Sequence, residues 1–300
     1  MGALAWVVSR LTGIPFSISI HSDYDQRYAL DGSRGAPVLL GSRWLARRLE
    51  TFLYKRADLI LPIRQSLADR AVSSGAPSGR IRIIPHGLDF ETTPTQDTDI
   101  RKQLGIGLNT QIVSFAGRLS RENYLDDILE VARRLGRVRK DVLFVLAGGG
   151  NEETRIREIV ESDPDLHNVR MIGFQPHSTI LALRRASATS LCLMGGFSLV
   201  EALASGSPTI SYDIEWHGEL IRNHQTGYLV NEGDTQAVVE KLQFLLGRTK
   251  ERERMGRAAK RLAIARHSLR NTRKIKIRVY QELVSMRRPT RQAQKTCLSS

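Results

Sequence analysis

Cysteine is nearly missing from this chain, whose 300 residues hold only Cys192 and Cys297. Two thiols so far apart build neither a disulfide framework nor a zinc cluster, and a reducing cytoplasm is the simplest setting for them. Long apolar runs are missing as well. None reaches the roughly 18 residues that a membrane span requires. The opening stretch Met1 to Val8 is short, has no basic leader and runs into Ser9 and Arg10, so it reads as a helix face. Gly2 follows Met1 as in a myristoylation signal, but that signal wants Ser or Thr at the place where Trp6 stands. What remains, 41% hydrophobic and 25% charged residues, excludes disorder, collagen and coiled coil. The length suits two domains of ordinary size.

Charge of one sign is also scarce, except at the end. The formal net charge of +14 suggests a nucleic-acid binder until its position is examined: Arg248 to Ser300 carries 17 Lys and Arg against 3 acids, and the preceding 28 bases and 28 acids cancel. A basic stretch of this kind can meet anionic lipid headgroups, each base contributing about 1 kcal/mol near such a surface. It can equally be a solvated helix face with a frayed end. No RNA-binding aromatic signature accompanies it, and no nucleic-acid partner is expected.

Short apolar runs alternate with longer helical patterns, which is the mark of α/β layering around parallel sheets. In the first third, Phe16 to Ile20, Leu59 to Ile63 and Ile81 to Pro85 read as strands. Arg43 to Tyr54 and Ser66 to Ser74 read as helices, the first with Trp44, Leu45, Leu49, Phe52 and Leu53 on one side. Thr92 to Thr98 is the best linker, so a boundary is expected near residue 100. Beyond it the alternation restarts, with strands at Ile112–Phe115, Val142–Ala147, Val169–Ile172, Thr189–Leu193 and Thr209–Tyr212. The helices between and after them are Tyr124–Leu135, Glu152–Glu161, Ser178–Ala186, Leu199–Ala204 and Thr235–Leu246. That suffices for a doubly wound domain over 101–270, whereas 1–100 has strands for only part of one. A helix over 271–285 and a basic tail over 286–300 complete the chain.

Two segments could carry chemistry. Gly195 and Gly196 stand before an apparent helix start at Phe197, Ser198 and Leu199, where unpaired amides and the helix dipole favour a diphosphate. Glu201, expected in the first turn, could accept ribose hydroxyls; it could as well serve only as a dipole or capping residue. Gly117 and Arg118 follow a strand directly, which puts a forked guanidinium where open α/β sheets bind ligands. The alternative for Arg118 is a surface ion pair with Glu122. Three Asp-x-Asp stretches, at Asp23, Asp97 and Asp163, are too frequent to signal a metal site, and no metal ligand is assigned. Gly148-Gly149-Gly150 lacks the spacing and Lys of a P-loop and reads as a turn near ligand. His217 and Glu219 lie close together without a second His at zinc spacing.

In order and spacing these segments resemble the retaining, nucleotide-sugar-dependent glycosyltransferases of family 4 (glycosyl transferases group 1), over roughly residues 10 to 285. The resemblance rests on Phe115 to Leu119, Leu146 to Gly150, Asn168 to Gly173 and above all Phe197 to Val230, with Gly13-Ile14-Pro15, Ala57-Asp58 and Ile83 to Asp89 upstream. It implies an α/β GT-B fold of two Rossmann-like domains, a donor site in the C-terminal one and an acceptor site in the N-terminal one. It also implies that Arg118 holds the donor diphosphate, that Glu201 holds the ribose, and that Gly117, Gly148 and the amides of Gly196, Phe197, Ser198 and Leu199 surround the donor. His21 matches a family histidine near the transferred sugar; outside that match it reads as a satisfied histidine at a strand end. No metal or other cofactor is implied, because cations and helix amides stabilise the departing nucleoside diphosphate. The partners implied are a nucleotide sugar and a glycan or lipid-linked acceptor, with an anionic membrane surface, at the cytoplasmic face, for residues 248–300.

Three departures accompany the match. Five residues after Arg118, where the family has Lys, stands Asn123, so Arg121 is left as the nearest substitute charge. The family's Glu for the transferred sugar is missing: eight positions before Glu201 stands Leu193, in a loop two residues shorter. The strand and glycine-rich loop that open the family's N-terminal domain do not precede Met1. An incomplete N-terminal domain is therefore expected, with an uncovered sheet edge, a tendency to associate and a place for a protein partner. A catalytically degenerate subunit or sugar-binding scaffold is the alternative reading of the same departures.

Overall fold

A computed structural model describes residues 2–22, 42–90 and 99–286. The chain divides into two units, one of residues 1–88 with 269–300 and one of residues 89–268. The linker at 92–98, the acidic residues Asp23, Asp25 and Asp97, and the end of the chain including Cys297 lie outside the described residues.

The first unit begins with helix α1 (Gly2–Thr12), strand β1 (Ser17–Ile20), helix α2 (Arg43–Arg56), strand β2 (Leu59–Pro62) and helix α3 (Gln65–Ser73). Ser42 caps α2 by accepting from the Leu45 amide. Strands β1 and β2 run parallel with Ser17 opposite Leu59 and Ile20 opposite Pro62. The expected third strand is reduced to a bridge at Ile81, extended by hydrogen bonds from the Arg82 and Ile84 amides to Ile60 and Pro62. Alternation along β2 sends Ile60 to one face, into a core with Phe16, Ile20, Tyr54, Ala57, Leu67 and Ala71. Leu59 and Leu61 face the other way.

The second unit opens at helix α4 (Ile100–Gln103), capped by the Asp99 carboxylate. Its strands are β3 (Gln111–Ala116), β4 (Val142–Ala147), β5 (Val169–Gly173), β6 (Thr189–Leu191), β7 (Thr209–Tyr212) and β8 (Gly227–Val230). All six are parallel, in the order β5-β4-β3-β6-β7-β8. Counted within the unit this is 3-2-1-4-5-6, the doubly wound arrangement. Between them run α5 (Leu125–Val138), α6 (Glu153–Ser162), α7 (His177–Ala186) and α8 (Phe197–Ala204), and after β8 come α9 (Thr235–Leu246) and α10 (Thr249–His267). Helix α5 shows why the pattern folds this way: Leu125, Ile128, Leu129, Ala132 and Leu135 recur at helical spacing and are all buried in one core with side chains of β3, β4 and β8. Each such Leu contributes about 2 kcal/mol by leaving water.

The basic end of the chain is not a tail where it is described. Helix α10 buries Met255, Gly256, Ala259 and Ala263, and a side chain at Gly256 would strike the Gly206 carbonyl at 2.1 Å. The last helix, α11 (Leu269–Ser285), belongs to the first unit and covers Leu59 and Leu61 with Val279, Ile275 and Leu283. Small residues on one face of α10 and aliphatic ones on α11 let helices dense in Lys and Arg pack one side and keep the charges on the other.

Candidate functional site

In a sheet of this order the connections leave β3 and β6 in opposite directions, and a crevice opens beyond the carboxyl ends of those two strands. Both candidate segments arise there. The turn after β3 carries Gly117 and Arg118, and the turn after β6 carries Gly195 and Gly196 into α8. They are tied together: Ser198 Oγ donates to the Ala116 carbonyl at 2.6 Å. The Ser198 hydroxyl is therefore committed to the β3 end and does not remain for a ligand.

Helix α8 starts at Phe197 rather than Leu199, so Glu201 lies in its second turn and not its first. The dipole and capping alternatives for Glu201 lapse with that placement. Its carboxylate is instead gripped by Arg184 of α7, whose Nη1 reaches Glu201 Oε2 at 2.6 Å. The second guanidinium nitrogen of Arg184 donates to Ser198 Oγ at 2.7 Å and to the Ala116 carbonyl at 3.2 Å. Arg184 is 2% exposed and Glu201 20%, so the cation is the buried member and the carboxylate keeps one side toward the crevice. Glu201 Oε1 has the exposed His177 ring beside it, at 3.7 Å. Arg184 is absent from the candidates that motif and spacing supply. Its signal is a cation four residues after Ile180 and three after Leu181, on the apolar phase of a helix, where a charge requires a buried partner.

Arg118 is exposed, and its guanidinium makes no hydrogen bond or ion pair among the described residues. The ion pair with Glu122 does not form. The Glu122 carboxyl is held below its ordinary range first by the Ser120 hydroxyl and its own backbone amide, with smaller contributions from Arg118 and Arg121. Asn123 brings no charge: its Nδ2 donates to the Arg118 carbonyl at 2.8 Å and to Ser120 Oγ at 3.2 Å, which holds the loop that presents Arg118. Arg121 turns to Glu152, 3.5 Å away. An uncommitted guanidinium thus faces solvent at the end of β3. Leu193 is fully buried, so nothing polar projects from the position eight residues before Glu201.

Two features shape the turns. Gly148, at φ +142°, has its missing side chain 1.8 Å from where the Gly117 carbonyl lies, so the β3 and β4 turns touch only because no Cβ intervenes. His217, fully buried, pins the other turn. Its Nε2 lies 3.1 Å from both the amide and the carbonyl of Gly195, and its Nδ1 lies 2.7 Å from Ser211 Oγ and 2.9 Å from the Tyr212 carbonyl. This is a histidine that holds a loop rather than one that binds zinc. In α8, the Leu199 amide bonds the Gly196 carbonyl at 3.2 Å and leaves the set of ligand-facing amides, whereas those of Gly196 and Ser198 have no partner among the described residues. Asp163 and Asp165 are spent on Arg133 and Arg137, at 2.7 and 2.6 Å.

In the first unit His21 follows β1 directly, and its Nδ1 lies 3.3 Å from His86 Nε2 in the turn Pro85-His86-Gly87. The two rings tilt at 41°. Burial lowers the His86 pKa, and the charges of His21 and Lys276 lower it further. The histidine expected from the resemblance is thus one of a pair, and its second member comes from the Ile83 to Asp89 segment.

Comparison with known proteins gives the same two-part division. A family described as glycosyl transferases group 1 matches residues 96–262, and one described as a glycosyl transferase 4-like domain matches residues 1–87. The chain is 23% identical over 278 residues to the alpha-D-kanosaminyltransferase of Streptomyces kanamyceticus, covering 88% of itself and 69% of that protein. It is 25% identical over 248 residues to the 2-deoxystreptamine N-acetyl-D-glucosaminyltransferase of Streptomyces fradiae, covering 77% of itself and 56% of the relative. The chain therefore spans about half to two thirds of such relatives. Anabaena HepE, solved in complex with UDP, superposes with a TM-score of 0.76 at 18% identity, over 95% of this chain and 76% of HepE. No helix among the described residues is long and apolar enough to cross a membrane.

Proposed function

The chain belongs to the glycosyl transferases group 1 family and has the GT-B fold, and from that premise we propose that it moves a sugar from a nucleoside-diphosphate sugar to a glycan or lipid-linked hydroxyl, with retention and without metal. The observation that carries the proposal is the meeting, at one switch point, of Arg118 and the Gly196 and Ser198 amides, none of them partnered among the described residues, and a carboxylate preset by Arg184. Arg118 and the amides take the diphosphate, for which a fork of donors and a helix start are suited. Glu201 Oε1 takes ribose hydroxyls while Oε2 stays on Arg184. The bond from the sugar's anomeric carbon to the diphosphate oxygen breaks as the acceptor hydroxyl forms its bond on the same face. The acceptor's proton passes to the departing phosphate oxygen, so no protein nucleophile is required. Positive charge fixed beside the leaving group does what a metal would do elsewhere. His21, in the first unit, is assigned to the acceptor side by the family resemblance.

A nucleotide-sugar-binding subunit without turnover is the second reading, favoured by Asn123 on the Arg118 carbonyl and by the buried Leu193. Both readings are separated by two measurements on the whole chain. Melting is followed with a panel of nucleoside diphosphates and their sugars, without metal; one nucleotide at a hundred times its Kd adds about 2.7 kcal/mol. Glu201→Gln abolishes that gain. Release of nucleoside diphosphate from the matching sugar nucleotide then marks the enzyme, and its absence marks the binding subunit. No stabilisation by any nucleotide overturns the donor site itself.

A further inference from the structure

The described part of the first unit contains a cavity of about 590 Å³ beyond the carboxyl ends of β1 and β2. Its floor is apolar, formed by Leu61, Ile63, Ile84 and Pro85, and its rim is formed by the His21–His86 pair and by α11. Helix α11 presents Arg273, Lys276 and Tyr280 to the cavity, residues spaced three and four apart and so on one face. No acidic side chain lines it among the described residues. The one acid of α11, Glu282, is spent on Arg82 at 2.6 Å, while Arg273 and Lys276 pair with no carboxylate among the described residues. Two cations with no carboxylate partner among the described residues, beside a pair of histidines 3.3 Å apart, make a site suited to an anion.

We propose that this cavity is a phosphate subsite, in which Arg273 and Lys276 hold a phosphate group carried by the acceptor, beside the His21–His86 pair. The inference rests on the reading of this unit as the acceptor side, but the binding of phosphate does not. A phosphate monoester or diester supplies negative charge, which no rim residue carries among the described residues, and the apolar floor suits the carbon skeleton next to it. A neutral glycan would leave both cations unanswered. The depressed titration of His86 is the physical counterpart: Lys276 works against the imidazolium, and an anion between them reverses the sign of that field.

The test follows the His86 ring proton by NMR through a pH titration of the full chain, assigned by comparison with His86→Asn. Inorganic phosphate is expected to raise the His86 midpoint by about one pH unit in the wild type and to leave it unmoved in Arg273→Gln/Lys276→Gln. Both substitutions are at exposed positions, and an unchanged melting temperature confirms the fold of the double variant. Vesicles of phosphatidylglycerol and of phosphatidylcholine form the second arm. A response to soluble phosphate indicates a phosphorylated soluble acceptor, and a response to phosphatidylglycerol vesicles alone indicates a lipid phosphate; either supports the subsite. Absence of response to both, or a response that persists in the double variant, overturns it. Stabilisation by nucleoside diphosphate, abolished by Glu201→Gln, is read in parallel. If it fails while the His86 response holds, the donor reading falls and the phosphate site stands.

Discussion

The two units spend their charges in opposite ways. In the second, the cations around the crevice are largely committed: Arg184 to Glu201, Ser198 and Ala116, Arg121 to Glu152, and Arg155 to Asp126 and Glu152, leaving Arg118 without a partner among the described residues. In the first, the helix that closes the unit carries five Lys and Arg and one acid, and its cations at the cavity have no carboxylate partner among the described residues. Apolar surface follows the same division. Six strands with helices on both faces bury most aliphatic side chains of the second unit's sheet. Among the described residues the first has two strands, one edge of β1 unpaired, and an α1 face of Leu4, Val7, Val8 and Leu11 exposed, with Trp44 of α2 also exposed.

The sharpest way to break this contrast is to remove the buried cation. Arg184→Met strands the Glu201 carboxylate and is expected to cost about 3–5 kcal/mol in urea unfolding, together with loss of nucleotide stabilisation. A cost under about 1 kcal/mol would mean that the pair does not organise the crevice. Gly148→Ala comes next, at about 2–3 kcal/mol, because its Cβ meets the Gly117 carbonyl and its φ is one that side chains disfavour. Donor binding should weaken with it, since the Arg118 turn must shift. A smaller effect is expected in acid. The Asp141 carboxyl is held down to about 2, first by the Arg139 guanidinium, against an ordinary 3.8. The folded chain therefore binds fewer protons than the unfolded one between those values. The stability Asp141 contributes is complete above about pH 4 and lost as pH falls through 2, and Asp141→Asn should flatten that part of the unfolding profile.

The smallest effects on stability sharpen the comparison from the other side. Arg118→Ala should leave the melting temperature within error, because the guanidinium pairs with nothing among the described residues, and yet abolish stabilisation by nucleoside diphosphate. On α1, Leu4→Lys with Leu11→Lys should change unfolding by no more than about 0.5 kcal/mol per site while reducing self-association in light scattering. A large loss of stability there would show that the α1 face is covered in the folded chain.

Much of the fold is legible in the amino-acid sequence because it is local. Strands Val142–Ala147 and Thr209–Tyr212 and helix Thr235–Leu246 have the limits their periodicity predicts. The turns after β3 and β6 are visible as glycines beside an Arg and ahead of a helix start. Local pattern misleads where neighbours decide. Leu45 has the spacing of the apolar side of α2 and is exposed, because no described element packs against that position. Ile81 to Pro85 makes a bridge instead of a strand, and the strand Gly227–Val230 escapes the pattern because a glycine hides its β-propensity. Residues 249–267, whose charge reads as part of a basic end, form a helix whose buried stripe is mostly small residues and so barely registers as apolar.

By itself the amino-acid sequence determined the alternation of strand and helix, the parallel layering and the two turns that offer Arg118 and the Gly196 amides, because propensity, periodicity and turn chemistry act within a few residues. The tertiary structure alone decided that β3 and β6 lie side by side, so that those turns meet. It decided that Glu201 answers to Arg184 and not to its own helix, and that His21 faces His86 from 65 residues away. Such pairings depend on which elements pack, and packing is a property of burial and strand order that no local pattern contains.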